Sequence, residues 1–145
     1  MTAGEMKNRT KQFALRIVRL SLALPKTREA DVLGRQMLKS GTSVGANYRE
    51  AVRASSRRHF VTNLEICLRE ADETIYWLEL LAEAEIISAQ RLGDLINECN
   101  QLIAIMTASV RTTKRKSPTP QKRTESAKRA AAAPHSKSKI LIHKL

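Results

Sequence analysis

The sequence predicts an all-α protein: an antiparallel, up-down-up-down four-helix bundle followed by a disordered, basic C-terminal tail. Three observations predict it. Apolar residues recur at helical spacing through residues 1–111. The period-two alternation of β-branched residues that marks strands is absent, and the few Gly and Pro residues stand at element boundaries or, for Gly41 and Gly45, inside a helical run. Beyond residue 111 the apolar period stops and Lys, Arg, Ser, Pro and Ala take over.

The first helix is expected from about Lys7 to Leu24, with Phe13, Ile17, Leu20 and Leu24 on one apolar stripe. Pro25 breaks it. Thr27 is positioned to cap the second helix, and Glu29 and Asp31 in its first turn complement the positive end of the helix dipole. That helix is expected to reach about Ser55. Ser56 is the expected cap of the third, which runs to about Ala84 with Phe60, Leu64, Cys67, Ala71, Ile75 and Leu78 facing the core. Ser88 is the expected cap of the fourth, whose buried face is Leu92, Ile96, Cys99, Ile103, Met106 and Val110. Connections of only a few residues make successive helices antiparallel neighbours.

Charge separates the two regions. Residues 1–111 hold 16 Lys and Arg against 13 Asp and Glu, a net of +3, whereas residues 112–145 hold 10 against one, a net of +9. A bundle over 1–111 and a tail over 112–145 follow, the tail too polar to offset its ordering entropy. Such a tail attracts RNA, DNA or an anionic surface. The final ILIHKL is apolar but too short to fold alone. No apolar run approaches the ~20 residues of a membrane span, and the N-terminal segment lacks the apolar core of a signal peptide. A cytoplasmic location is expected, with no membrane partner. Cys67 and Cys99 both fall on apolar helical positions and read as buried free thiols.

The second helix carries the sharpest functional signal. Counting about 100° per residue from Arg35, the side chains of Lys39, Arg49, Arg53 and, where the helix continues, Arg57 fall within about 40° of one line. Leu33, Met37, Val44, Tyr48 and Ala51 cluster on the opposite side, and Arg58 adds charge at the end of the ridge. Two readings compete: a solvated face whose arginines pair with neighbouring acids, or a ridge that tracks nucleic-acid phosphate. The tail cations Lys114, Arg115, Lys116, Lys122 and Arg123 would add unspecific contacts.

Gly41 and Gly45 lie within this same helix, where each costs about 1 kcal/mol relative to Ala. Close approach of a facing helix is the expected gain. Gly41-Thr42-Ser43-Val44-Gly45 also matches G-x-S-x-G, but a nucleophile elbow needs a strand, a sharp turn and a helix, and here the serine sits in a helical run. His59, His135 and His143 form no H-E-x-x-H or Glu-x-x-His pattern, and the cysteines lack C-x-x-C spacing. The expectation is a non-enzyme with no cofactor and no metal.

Two helices carry more apolar surface than one core needs. Leu15, Val18 and Leu22 form a second strip on the first helix; Ile66, Trp77 and Leu80 form one on the third, interrupted by Glu70 and Glu73. Extra strips of this kind point to a subunit interface and a homo-oligomer. Acids such as Glu65, Glu79 and Glu83 would pair with arginines of a neighbouring subunit.

Three pieces in order, SGTSVGANYREA (Ser40–Ala51), A-S-S-x-x-x-F (Ala54–Phe60) and E-A-D-E-T-x-Y-W-L-E-L-L (Glu70–Leu81), closely resemble the four-helix-bundle family labelled 23S rRNA intervening-sequence proteins. The likeness extends more weakly over residues 7–111 and leaves the tail uncovered. The resemblance implies an antiparallel four-helix subunit and a ring of five. It also implies similarity to the accessory variability determinant of diversity-generating retroelements, a basic pentamer that binds nucleic acid and a reverse transcriptase. The expected function is therefore oligomeric RNA or DNA binding through backbone charge. Its rival is a protein-interaction scaffold whose tail alone touches nucleic acid.

Overall fold

The computed structural model describes residues 1–116, and over them the chain forms four helices and no strand. These are α1 (Ala3–Ala23), α2 (Arg28–Val52), α3 (Arg57–Glu83) and α4 (Ala89–Arg115). The chain divides into two units, Met1–Lys114 and Arg115–Leu145; the first is the bundle, and of the second only Arg115 and Lys116 are described, both exposed. Lys122, Arg123 and the ILIHKL end lie outside the described residues.

The first three helices start where a side chain satisfies a free amide, while at the start of α4 Ser88, the expected cap, accepts from the Arg91 amide through its backbone carbonyl at 3.0 Å. Thr27 caps α2 by accepting from the Ala30 amide at 3.1 Å, and Ser56 caps α3 by accepting from the His59 amide at 3.2 Å. α1 begins four residues before the expected Lys7, because Thr2 and Glu5 make a capping box. The Thr2 hydroxyl accepts from the Glu5 amide, and the Glu5 carboxylate accepts from the Thr2 amide at 2.7 Å. That backbone hydrogen bond holds the Glu5 carboxyl below its usual range. α2 ends at Val52 rather than near Ser55. α3 ends in a Schellman turn: the Ile86 amide donates to the Leu81 carbonyl and the Glu85 amide to that of Ala82, both at 3.0 Å. Glu85 takes the left-handed conformation there (φ 59°), at a cost of about 1–2 kcal/mol for a residue with a side chain. The turn carries Ile87 into the core.

Facing contacts fix the antiparallel register. Gly34, Gly41 and Gly45 of α2 lie against Leu24, Ile17 and Thr10 of α1, so one sequence number rises as the other falls. A Cβ on Gly41 would stand 2.8 Å from both Ile17 Cγ1 and Cγ2, and one on Gly45 would stand 3.4 Å from the Thr10 carbonyl. The small residues therefore bring α1 and α2 together, as expected. Ser40 of α2 meets Thr74 of α3 with their hydroxyls 2.9 Å apart, and each also reaches a carbonyl of its own helix, Met37 and Glu70. Buried hydroxyls so partnered avoid the desolvation cost of an orphaned group. The Cys99 thiol of α4 donates to the Ala71 carbonyl of α3 at 3.3 Å, and Lys114 pairs with Glu65 at 2.9 Å. Arg9 ties α1 to α4, donating to Glu98 and Gln101 at 2.6 Å each.

The core holds Phe13, Ile17, Met37, Val44, Leu64, Cys67, Ala71 and Leu78, and Leu20, Leu24, Leu33, Phe60 and Ile75 pack partly buried around it. Two expectations for α4 need correction. Its buried face is Leu92, Leu95, Cys99, Leu102, Met106 and Val110, while Ile96 and Ile103 are only half-buried. The helix also continues through Thr112 to Arg115, so Lys114 and Arg115 are helical residues rather than tail. Thr113 supports that last turn by donating to the Ser109 carbonyl at 2.8 Å.

Candidate nucleic-acid interface

All six ridge residues, Arg35, Lys39, Arg49, Arg53, Arg57 and Arg58, are exposed. The helical count placed Arg35, Lys39, Arg49 and Arg53 away from the core; α2 ends at Val52, so Arg57 and Arg58 lie beyond that count and open α3 instead. Their partners differ. Arg35 pairs with Asp31 one turn away, at 3.1 Å. The side chains of Lys39, Arg49, Arg53 and Arg58 make no ion pair with any described residue. Arg49, Arg53 and Arg58 are thus solvated without the neighbouring acids that the first reading gave them, and their exposure is common to both readings.

The antiparallel register shows what one helix cannot. The C-termini of α2 and α4 and the N-termini of α1 and α3 gather at one end of the bundle. That half comprises residues 1–12, 42–53, 57–69 and 102–114, and holds ten Lys and Arg against three Asp and Glu. The opposite half holds seven against ten. The ridge is therefore divided: Arg49 and Arg53 belong to a basic end with Arg57 and Arg58, while Arg35 and Lys39 stand in the acidic half. Lys7, Lys11 and Arg111 join the basic end and are exposed or half-exposed. Sequence reasoning missed them, although counting charge by half-helix in an antiparallel bundle would have found them. Lys114 also lies there, and its surface pair with Glu65 is worth only about 0–1 kcal/mol, little hindrance to a phosphate.

The candidate interface strips are only partly covered within the subunit. Leu22 is 82% exposed. Leu15, Val18, Ile66, Trp77 and Leu80 are half-buried. Trp77 packs partly on the core and its indole donates to Glu73 at 3.3 Å. Tyr76, which the sequence reading passed over, stands beside it at 53% exposure, the rings edge to face with centroids 5.0 Å apart.

The other chemistry of the described residues is quiet. Ser43, centre of the G-x-S-x-G match, lies within α2 and donates to the Lys39 carbonyl at 2.6 Å. Cys67 and Cys99 are free and buried; burial pushes both thiols up to about 12, too high for a thiolate nucleophile near neutral pH. Among the described residues no group of three or more His, Cys, Asp and Glu side chains is placed to hold a metal ion, and no helix is long and apolar enough to cross a membrane.

A family model described as 23S rRNA-intervening sequence protein matches residues 4–108. Among solved structures, the chain is similar to a protein of unknown function from the S23 ribosomal protein family of Bacteroides thetaiotaomicron. The two are 38% identical with a TM-score of 0.72, over 77% of this chain and 99% of that one. No curated protein matches.

Proposed function

The chain belongs to the 23S rRNA-intervening sequence protein family, and from that premise we propose a non-enzymatic, oligomeric nucleic-acid-binding protein that acts through contacts to backbone phosphate. The observation that carries this reading is the basic end, where Arg49, Arg53 and Arg58 are exposed without an ion pair among the described residues. Exposed cations held on rigid helices release counterions when they meet a polyanion, and that release drives binding without any base contact. The segment beyond Lys116, with six further net positive charges, adds to the attraction. The resemblance noted in the sequence would imply that the protein such a binder assists is a reverse transcriptase or another nucleic-acid-processing protein.

Arg49→Ala with Arg53→Ala removes two of about six phosphate contacts. Affinity for RNA or DNA should fall about 10- to 100-fold at 100 mM salt. Fluorescence anisotropy measures this, both in the full chain and in a chain ended after Lys116. The rival scaffold reading predicts instead that binding vanishes on truncation and ignores the arginines. Either result would remove the bundle from the nucleic-acid site.

Assembly belongs to the same proposal. The partly exposed strips Leu15-Val18-Leu22 and Ile66-Trp77-Leu80 would supply apolar surface for a subunit contact, and the family resemblance implies a ring of five. Light scattering should give a molar mass several times that of one 16.3 kDa chain, and Leu22→Glu with Leu15→Glu should lower it. A wild-type chain that runs as a stable monomer would refute the assembly.

A further inference from the structure

Among the described residues, the basic end offers phosphate contacts and almost no aromatic platform for a base to stack on. The chain has five Phe, Tyr and Trp residues, and all lie among the described ones. In the basic half Tyr48 is 7% exposed, with its hydroxyl pushed up by burial, and Phe60 is half-buried against the core. Phe13, near the middle, is 1% exposed. The exposed Tyr76 and the half-buried Trp77 beside it stand in the other half among Asp72, Glu73, Glu79 and Glu83, whose charge repels a phosphate backbone. Along α3 it is about 27 Å from Arg58, at 1.5 Å per residue. Among the described residues His59 is the one exposed ring at the basic end, and a single imidazole stacks a single base.

Proteins that prefer single strands combine a basic groove with several aromatic platforms, because unstacked bases must be given new partners. A surface of charge alone has the opposite preference. It discriminates by the charge density of the polyanion, and a duplex carries one phosphate per about 1.7 Å of axis where a single strand carries one per about 3.4 Å. Each phosphate contact then releases about 0.9 of a counterion from a duplex and about 0.7 from a single strand. For about six contacts the difference amounts to about tenfold in affinity at 100 mM salt.

Resting on the nucleic-acid reading above, we propose that the basic end of the bundle is a duplex-selective site: it holds the phosphate backbone of double-stranded DNA or RNA, reads no base sequence, and disfavours single strands. The α2–α3 turn carries the site, with Arg49 and Arg53 one helical turn apart before it and Arg57 and Arg58 opening α3 after it.

The test uses the full chain and a fluorescein-labelled 24-base-pair duplex, its two separated strands and an unrelated duplex of the same length, read by anisotropy at 50, 100 and 200 mM salt. The expected result is about tenfold tighter binding of either duplex than of either strand at 100 mM, with a steeper salt slope for the duplexes. Arg49→Glu with Arg53→Glu should weaken the duplex more than the strand. Single strands bound as tightly as duplex, or a charge reversal that weakens both equally, would overturn duplex selectivity and leave phosphate binding standing. No binding of any of the four would overturn the nucleic-acid reading itself.

Discussion

Gly41→Val should destabilise the bundle by about 3 kcal/mol, the upper part of the range for overpacking a filled core. The first added carbon already stands 2.8 Å from two carbons of Ile17. Ile17 is fully buried and β-branched, so its χ1 has little freedom and the touched atoms are not the loose end of a side chain. Even Gly41→Ala should destabilise, because the clash outweighs the about 1 kcal/mol that alanine gains over glycine in a helix. Gly93→Ala is the matched control. Nothing lies within 4 Å of a Cβ built there, so the same change should stabilise α4 by about 1 kcal/mol. Urea midpoints at equal protein concentration give both signs. In a double-mutant cycle, Ile17→Ala should cost less in the Gly41→Val background than alone, since the new methyls fill part of the cavity. A Gly41→Val midpoint equal to wild type would show that α1 and α2 are not in close contact.

Raising salt from 50 to 200 mM should lower nucleic-acid affinity by about three orders of magnitude, the consequence of about six phosphate contacts. The charge that produces this slope sits at one end of the bundle and not evenly along α2. Removing a cation should therefore act according to its half. Arg49→Ala or Arg53→Ala should each reduce the slope by about one. Arg35→Ala should change it little, because Arg35 already has Asp31 beside it and stands among acids. Titrations of the four proteins separate these outcomes. A flat salt dependence, or an Arg35→Ala effect as large as that of Arg53→Ala, would contradict the assignment of the site to the basic end.

Helix number, order and two of the caps were legible because each rests on local chemistry: an apolar period, a proline at Pro25, and Thr27 or Ser56 ahead of a helical run. The start of α1 was legible too, in Thr2-Ala3-Gly4-Glu5, but the capping box precedes the first apolar residue of the stripe and was passed over. The buried face of α4 was harder. Leu95 stands next to Ile96 and Leu102 next to Ile103, so a helical count accepts either set; only packing against α3 and α1 selects the leucines. The end of α4 resisted for another reason. Beyond Val110 no apolar residue marks the helix, and its last turn is held by hydroxyl and charge contacts, Thr113 to Ser109 and Lys114 to Glu65. For the site, angles on one helix gave the exposure of Arg35, Lys39, Arg49 and Arg53, but not that of Arg57 and Arg58, which open α3. They could not show that Arg111 and Lys11 share an end with Arg53, because that depends on how four helices run past one another.

The two buried cysteines have a practical consequence. Both are 0% exposed, their thiols lie near 12, and the chain has no others, so the native surface offers no reactive sulfur. A cysteine introduced at one exposed position would be the sole target of a maleimide dye at neutral pH, with no need to strip the natural thiols from the core. A fluorophore carried at Arg58 or at Tyr76 would thus mark opposite halves of the molecule. Quenching by a labelled nucleic acid would then tell which half approaches it.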